Sequence, residues 1–88
     1  MPFDHAAVRT SLALVHAGET VRIERFAFAT VRDICHDIGL EAGQVVKCRA
    51  SSIAALVLKS PAGRTFIVDQ DWARWIEVSA VSPDGSRN

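Results

Sequence analysis

Eighty-eight residues, 49% of them hydrophobic, make one small globular domain. Such a chain has a thin core and little room for a deep pocket with a supporting shell, so no enzyme is expected. Ten basic and ten acidic residues give a formal net charge of zero, and nucleic-acid modules normally carry a basic excess. Along the chain Arg22, Arg25, Lys47 and Arg49 are interleaved with Glu19, Glu24 and Glu41, which disfavours nucleic acid as a partner.

Residues 1–10 read as a lead-in segment, with one helical turn from Asp4 to Val8 capped by Asp4. The opening Met1-Pro2-Phe3-Asp4-His5 lacks the basic start and long apolar run of a secretory signal. No stretch approaches the roughly 20 apolar residues of a membrane span. A cytoplasmic location with two free thiols, Cys35 and Cys48, is the expectation.

Ser11 to Val15 is apolar and ends in a turn at Ala17-Gly18-Glu19. From Thr20 to Phe26, Val21 and Ile23 alternate with Arg22 and Glu24, the pattern of a half-buried strand. Thr30 to Leu40 predicts an amphipathic helix over about 30–38, with Thr30 as cap and Asp33 three residues on. Val31, Ile34, Cys35 and Ile38 share one stripe; Arg32, Asp33, His36 and Asp37 take the other. Gly39 supplies a left-handed stop and Leu40 the apolar residue that follows it. Packing of Val31, Ile34 and Ile38 on the core predicts a cost of about 2–4 kcal/mol for Ile34→Ala.

Three more strands are expected at 44–50, 53–59 and 64–68, the last two joined by the hairpin loop Ser60-Pro61-Ala62-Gly63. A helical turn over 71–74 and a closing strand at 75–78 follow, then a polar tail, 80–88, expected to be disordered. Five strands, one short helix and one helical turn predict a mainly β fold: a small closed or nearly closed barrel.

In order and spacing these pieces resemble the FeoA family. Leu12, Gly18-Glu19, Val21 and Ile23 match its opening, and Arg32 with Ile38-Gly39-Leu40 its helix and stop. Gly43 and Val46 match the next strand; Phe66, Val68, Ala73 and Ile76-Glu77-Val78 match the end. The resemblance covers residues 11–79. Ala50-Ser51-Ser52-Ile53 stands where many members carry a Pro-x-Gly-Asp-Pro-like segment. The resemblance implies an SH3-like barrel, shared with the carboxy-terminal domain of DtxR-type repressors. It also implies a cytosolic accessory role in ferrous-iron transport, through contact with the FeoB GTPase-permease, and no enzymatic activity.

Chemistry-bearing residues are sparse. No Cys-x-x-Cys or His-x-x-x-His spacing occurs. Asp33, His36 and Asp37 share the solvent side of the helix and form the one candidate set for a divalent transition metal such as Fe(II) or Zn(II), although no tight site is expected. Adjacent Cys35 and His36 diverge by about 100° and cannot form a catalytic dyad. Cys35 and Cys48 read as packed core thiols, and Trp72 and Trp75 as lids over a barrel end. The most informative feature is an apolar stripe on the outside. Pairing Leu58 with Phe66 turns Val57 and Ile67 outward, with Ala55 beside them and Val45 near. Such a stripe marks a contact surface for a protein partner or a second copy, unless residues 1–10 cover it. Arg32 and Asp37 would orient the partner from the helix.

Overall fold

Alternation of burial runs along every long strand, and it sets which face of the sheet becomes the core. The computed structural model describes residues 9–81; the turn expected at Asp4–Val8 and residues 82–88 of the tail lie outside them. In chain order the elements are β1 (Arg9–Ser11), a 3-10 turn (Leu12–Leu14), β2 (Thr20–Phe26), α1 (Ala29–Ile38), β3 (Val45–Ser51), β4 (Ala55–Lys59), β5 (Thr65–Asp69), α2 (Gln70–Ala73) and β6 (Ile76–Ala80).

All strand pairs are antiparallel, in the order β1-β6-β2-β3-β4-β5. Among the described residues the expected five strands are six: Arg9–Ser11, whose first two residues were assigned above to the lead-in, pairs with β6. The expected tail likewise begins too early, because Ala80 pairs with Val21 and Val81 N–H donates to Thr20 O. The sheet curls without closing, since β1 and β5 are edges that do not pair. Between those edges the 3-10 turn packs on α2, and Ser11 Oγ donates to Ala73 O at 3.2 Å. These short elements fill the gap that a closed barrel would seal with hydrogen bonds.

The curled sheet wraps one core that includes Leu12, Ile23, Val46, Leu56, Leu58, Ile76 and Val78. Burying such side chains contributes about 1.5–3 kcal/mol each. Two bulges interrupt the ladders, one in β2 between Ile23 and Arg25 and one in β3 between Cys48 and Ala50. A bulge leaves one residue unpaired and re-aims its side chain; here those residues are Glu24 and Arg49.

Helix α1 departs from expectation at its start. Its N-cap is the extended Phe28, with no side-chain cap, and Thr30 lies inside the first turn. The Phe28 ring packs edge-on against Trp75 at 5.1 Å, and Ala27 N–H donates to Trp75 O at 2.8 Å. Pairing with the chain before β6 and an aromatic anchor thus set the start that the cap was expected to set. The stop is as expected: Gly39 is left-handed (φ 91°), and Leu40 N–H donates to Cys35 O at 2.8 Å. Leu40 is fully buried, the apolar contact that accompanies this type of helix end.

The helix buries a narrower stripe than the spacing predicts. Val31 and Cys35 are buried, Ile34 is half-buried, and Ile38 is 39% exposed. Residues four apart carry the contact, while Ile34 and Ile38 flank it and face β5 across a shallow concavity with Ile67 and Trp72. The 2–4 kcal/mol expected at Ile34 is therefore too large for that site.

Candidate functional site

Hairpin β4–β5 has the register that the alternation implied. Leu58 pairs with Phe66 and Val57 with Ile67, so Leu56, Leu58, Phe66 and Val68 point into the core. Outside, Ile67 is 65% exposed, while Val57, Ala55 and Val45 are half-buried. The hairpin loop is tied by Ser60 N–H donating to Arg64 O at 2.8 Å and Arg64 N–H donating to Ser60 Oγ at 3.1 Å. Strand β4 starts two residues later than expected, because Ser52 Oγ accepts from Ala54 and Ala55 N–H and holds Ile53 in a turn, fully exposed. Arg9 and Thr10 do not cover the stripe: they lie in β1, at the far end of the strand order.

The helix candidates are only partly brought to this stripe. Ile67 sits beside Ile34 and Ile38, but Arg32 lies about 200° from Ile34 around the helix. Arg32 bonds Asp33 at 3.3 Å and lines a separate open cleft of about 420 Å³ with Phe26, His36, Leu40 and Glu41. Asp37 is exposed. Of the candidate metal set, Asp33 accepts from Arg32, and His36 Nδ1 lies 2.8 Å from Glu41 Oε2. Among the described residues no three His, Cys, Asp or Glu side chains converge on one point.

Both thiols are free and buried. Burial pushes Cys35 upward from its ordinary acidity, and burial, with a smaller push from the Glu19 charge, does the same at Cys48. They have the character of packed core groups, not of nucleophiles or ligands. Trp72 packs on the core and Trp75 stays 41% exposed against Phe28.

Two features escaped the reading of the sequence. Arg64, in the hairpin, donates from Nη2 to Ile38 O at 3.3 Å and lies over the Phe66 ring at 5.4 Å. It thereby ties the carboxy end of α1 to β5, and a Cβ at Gly39 would collide with its guanidinium. Ile38 and Gly39 are both far from it in sequence. The second feature is a segregation of charge. Glu19, Glu24 and Glu41, which punctuate the basic residues along the chain, are engaged elsewhere: by His16 N–H, by Arg9 and Ser79, and by His36. Lys47, Arg49 and Lys59 are left together on the outside of β3 and β4 around a concavity of about 230 Å³. None of the three makes an ion pair among the described residues. Interleaving along the chain does not survive folding.

No protein-family model and no curated protein matches the sequence. Solved structures do match the fold. A crystal structure of the iron uptake regulatory protein FeoA superposes with a TM-score of 0.74 at 14% identity, covering 84% of this chain and 100% of that one. The NMR structure of a FeoA-like protein from Clostridium acetobutylicum gives 0.73 at 16%, covering 91% and 95%. A manganese-dependent transcriptional repressor in complex with manganese gives 0.76 at 17%, covering 83% of this chain but 37% of the repressor. At these identities the likeness establishes the fold: a FeoA-type, SH3-like arrangement, as the motif order implied. Among the described residues no helix is long and apolar enough to cross a membrane.

Proposed function

We propose that this chain is a non-enzymatic, FeoA-like accessory module of ferrous-iron transport that works in the cytoplasm by docking on a FeoB-type GTPase-permease. The observation that carries this reading is the end-to-end likeness to FeoA, which spans 84% of this chain and all of the FeoA chain. The agreement of that fold with the order of sequence motifs over residues 11–79 supports it. The docking stripe is Val57, Ile67 and Ala55, with Asp37 engaging the partner from α1; Arg32, turned to the cleft on the other side of the helix, is set aside from it. Burying the Ile67 side chain against a partner contributes about 1.5–3 kcal/mol, and each 1.4 kcal/mol is tenfold in affinity. Binding to the detergent-solubilised permease of the same organism should therefore weaken about tenfold or more in Ile67→Glu, with the melting temperature unchanged. Equal binding by the variant would remove the stripe from the reading, and no binding by the parent chain would remove the permease.

A metal-sensing role is the second reading, favoured by the likeness to the manganese-dependent repressor. Its ligands would come from Asp33, His36 and Asp37, and the Glu41 contact takes Nδ1 of His36, which leaves Nε2 as the ligating nitrogen. Equilibrium dialysis against Fe(II) or Zn(II) is expected to give only weak binding. A tight one-to-one complex lost in His36→Ala would select the metal reading instead.

A further inference from the structure

We propose that the outer face of β3 and β4 is a docking site for an acidic, partly apolar extended segment of a partner protein. This deepens the binding-module reading above and rests on it, adding the chemistry of the partner.

Register places Lys47 directly opposite Lys59. Like charges directly opposite each other on adjacent strands are destabilising, so the fold itself gains nothing from this pair. The β3 bulge adds Arg49 to the same concavity. In a chain of zero formal net charge, three cations without ion pairs among the described residues make a local field that favours an anionic ligand.

The neighbouring row specifies more than charge. Two residues along the strands from the Lys47–Lys59 pair lies the Val57–Ile67 pair. That step is about 6.7 Å, the side-chain repeat on one face of an extended chain. A segment lying along the strands therefore meets cations with one side chain and branched apolar groups with the next on the same face. A carboxylate and an apolar residue two apart fit this pattern. A nucleic acid would use the cations but not the apolar row, and among the described residues no aromatic side chain lies on this face for a base to stack on.

The test uses a fluorescein-labelled peptide, three repeats of Glu-Ser-Leu-Ser, read by fluorescence anisotropy at low and moderate salt. Two controls accompany it: the same peptide with Gln for Glu, and a twelve-nucleotide deoxythymidine oligomer. The acidic peptide should bind, and more weakly as salt rises. The Gln peptide should bind about tenfold or more weakly, as expected for loss of charge-assisted contacts. Lys47→Glu/Lys59→Glu should lose the acidic peptide to a similar degree with an unchanged melting temperature, since one like-charged pair replaces another. Lys59→Ser should give an intermediate loss, and it serves if the double variant folds poorly. Absence of peptide binding, equal binding of the Gln peptide, or variants that bind like the parent would overturn the proposal. Tighter binding of the oligomer, lost in the same variants, would reassign the face to nucleic acid. The two readings fail separately. Permease binding that survives both lysine substitutions removes this inference alone, whereas charge-dependent peptide binding without permease binding removes the permease alone.

Discussion

One sheet presents two very different outer faces. Across β1, β6 and β2, all charges but that of Arg22 are matched: Arg9 reaches both Glu24 and Glu77, Arg25 reaches Glu77, and the buried Ser79 hydroxyl donates to Glu24. Across β3, β4 and β5, Lys47 faces Lys59 and Ile67 stands exposed beside Val57. Both halves cover the same core, so the difference cannot come from a demand of the interior. The first half is arranged for the fold, and the second holds features that the fold alone would select against.

If that is right, the inner residues of the two halves should be equivalent. Ile76 lies under the matched half and Leu56 under the basic half, and both are fully buried. Ile76→Ala and Leu56→Ala should each cost about 2–5 kcal/mol in urea or thermal unfolding. A large gap between them would mean that the halves also differ inside, and the contrast of surfaces would lose its meaning.

The next effect belongs to the matched half alone. Glu24→Ala removes the acceptor of a buried hydroxyl and one partner of Arg9. Leaving a buried polar group unsatisfied costs about 1–3 kcal/mol, and chemical denaturation would measure it. The exposed pair with Arg9 adds little by itself. A cost below half a kilocalorie would show that the matched face is not a stabilising network.

How far the sequence foresaw all this follows the range of the interactions. Period-two alternation and a four-residue loop were enough to place Leu58 opposite Phe66 and to turn Val57 and Ile67 outward, since register within a hairpin is a local matter. Gly39 and Leu40 announced the helix stop for the same reason. Strand β1 was missed because three residues with an exposed arginine carry no period; only pairing with β6, nearly seventy positions away, makes them a strand. Phe28 replaced Thr30 at the helix start because its partner, Trp75, is also far along the chain. The candidate contact stripe was legible, but its charged neighbour was not. Along the chain Glu19, Glu24 and Glu41 offset the basic residues, but folding draws each of them to a different partner.

Thiol chemistry sharpens the contrast from below the basic half. Cys48 lies inside β3 between Lys47 and Arg49, cations that would favour a thiolate if they faced it. Burial prevails, raising both Cys35 and Cys48 from the ordinary value of 9.0. The folded state thus keeps protons that the unfolded chain would release. Stability from this source is complete below pH about 9 and falls as pH rises toward the folded values. Thermal unfolding at stepped alkaline pH should show that decline. A thiol reagent at neutral pH should label native protein far more slowly than urea-unfolded protein; rapid labelling of Cys48 would place it under the influence of the surface cations.

The smallest expected effect is the most telling, because its sign carries the argument. Lys47→Glu turns a like-charged cross-strand pair into an opposite-charged one facing Lys59. Cross-strand pairs of this kind are worth about 0.2–1 kcal/mol, so the variant should unfold at slightly higher temperature than the parent. Most surface substitutions are neutral or mildly destabilising, and a gain at this position would mark a residue held against the interest of stability. The same exchange on the matched half, Arg25→Glu, should go the other way, because it sets two carboxylates against each other where Arg25 now lies 3.6 Å from Glu77. Opposite signs from two charge reversals on one sheet would mean that its halves answer to different demands. Equal signs would mean that Lys47 and Lys59 are screened by solvent and that their juxtaposition has no consequence.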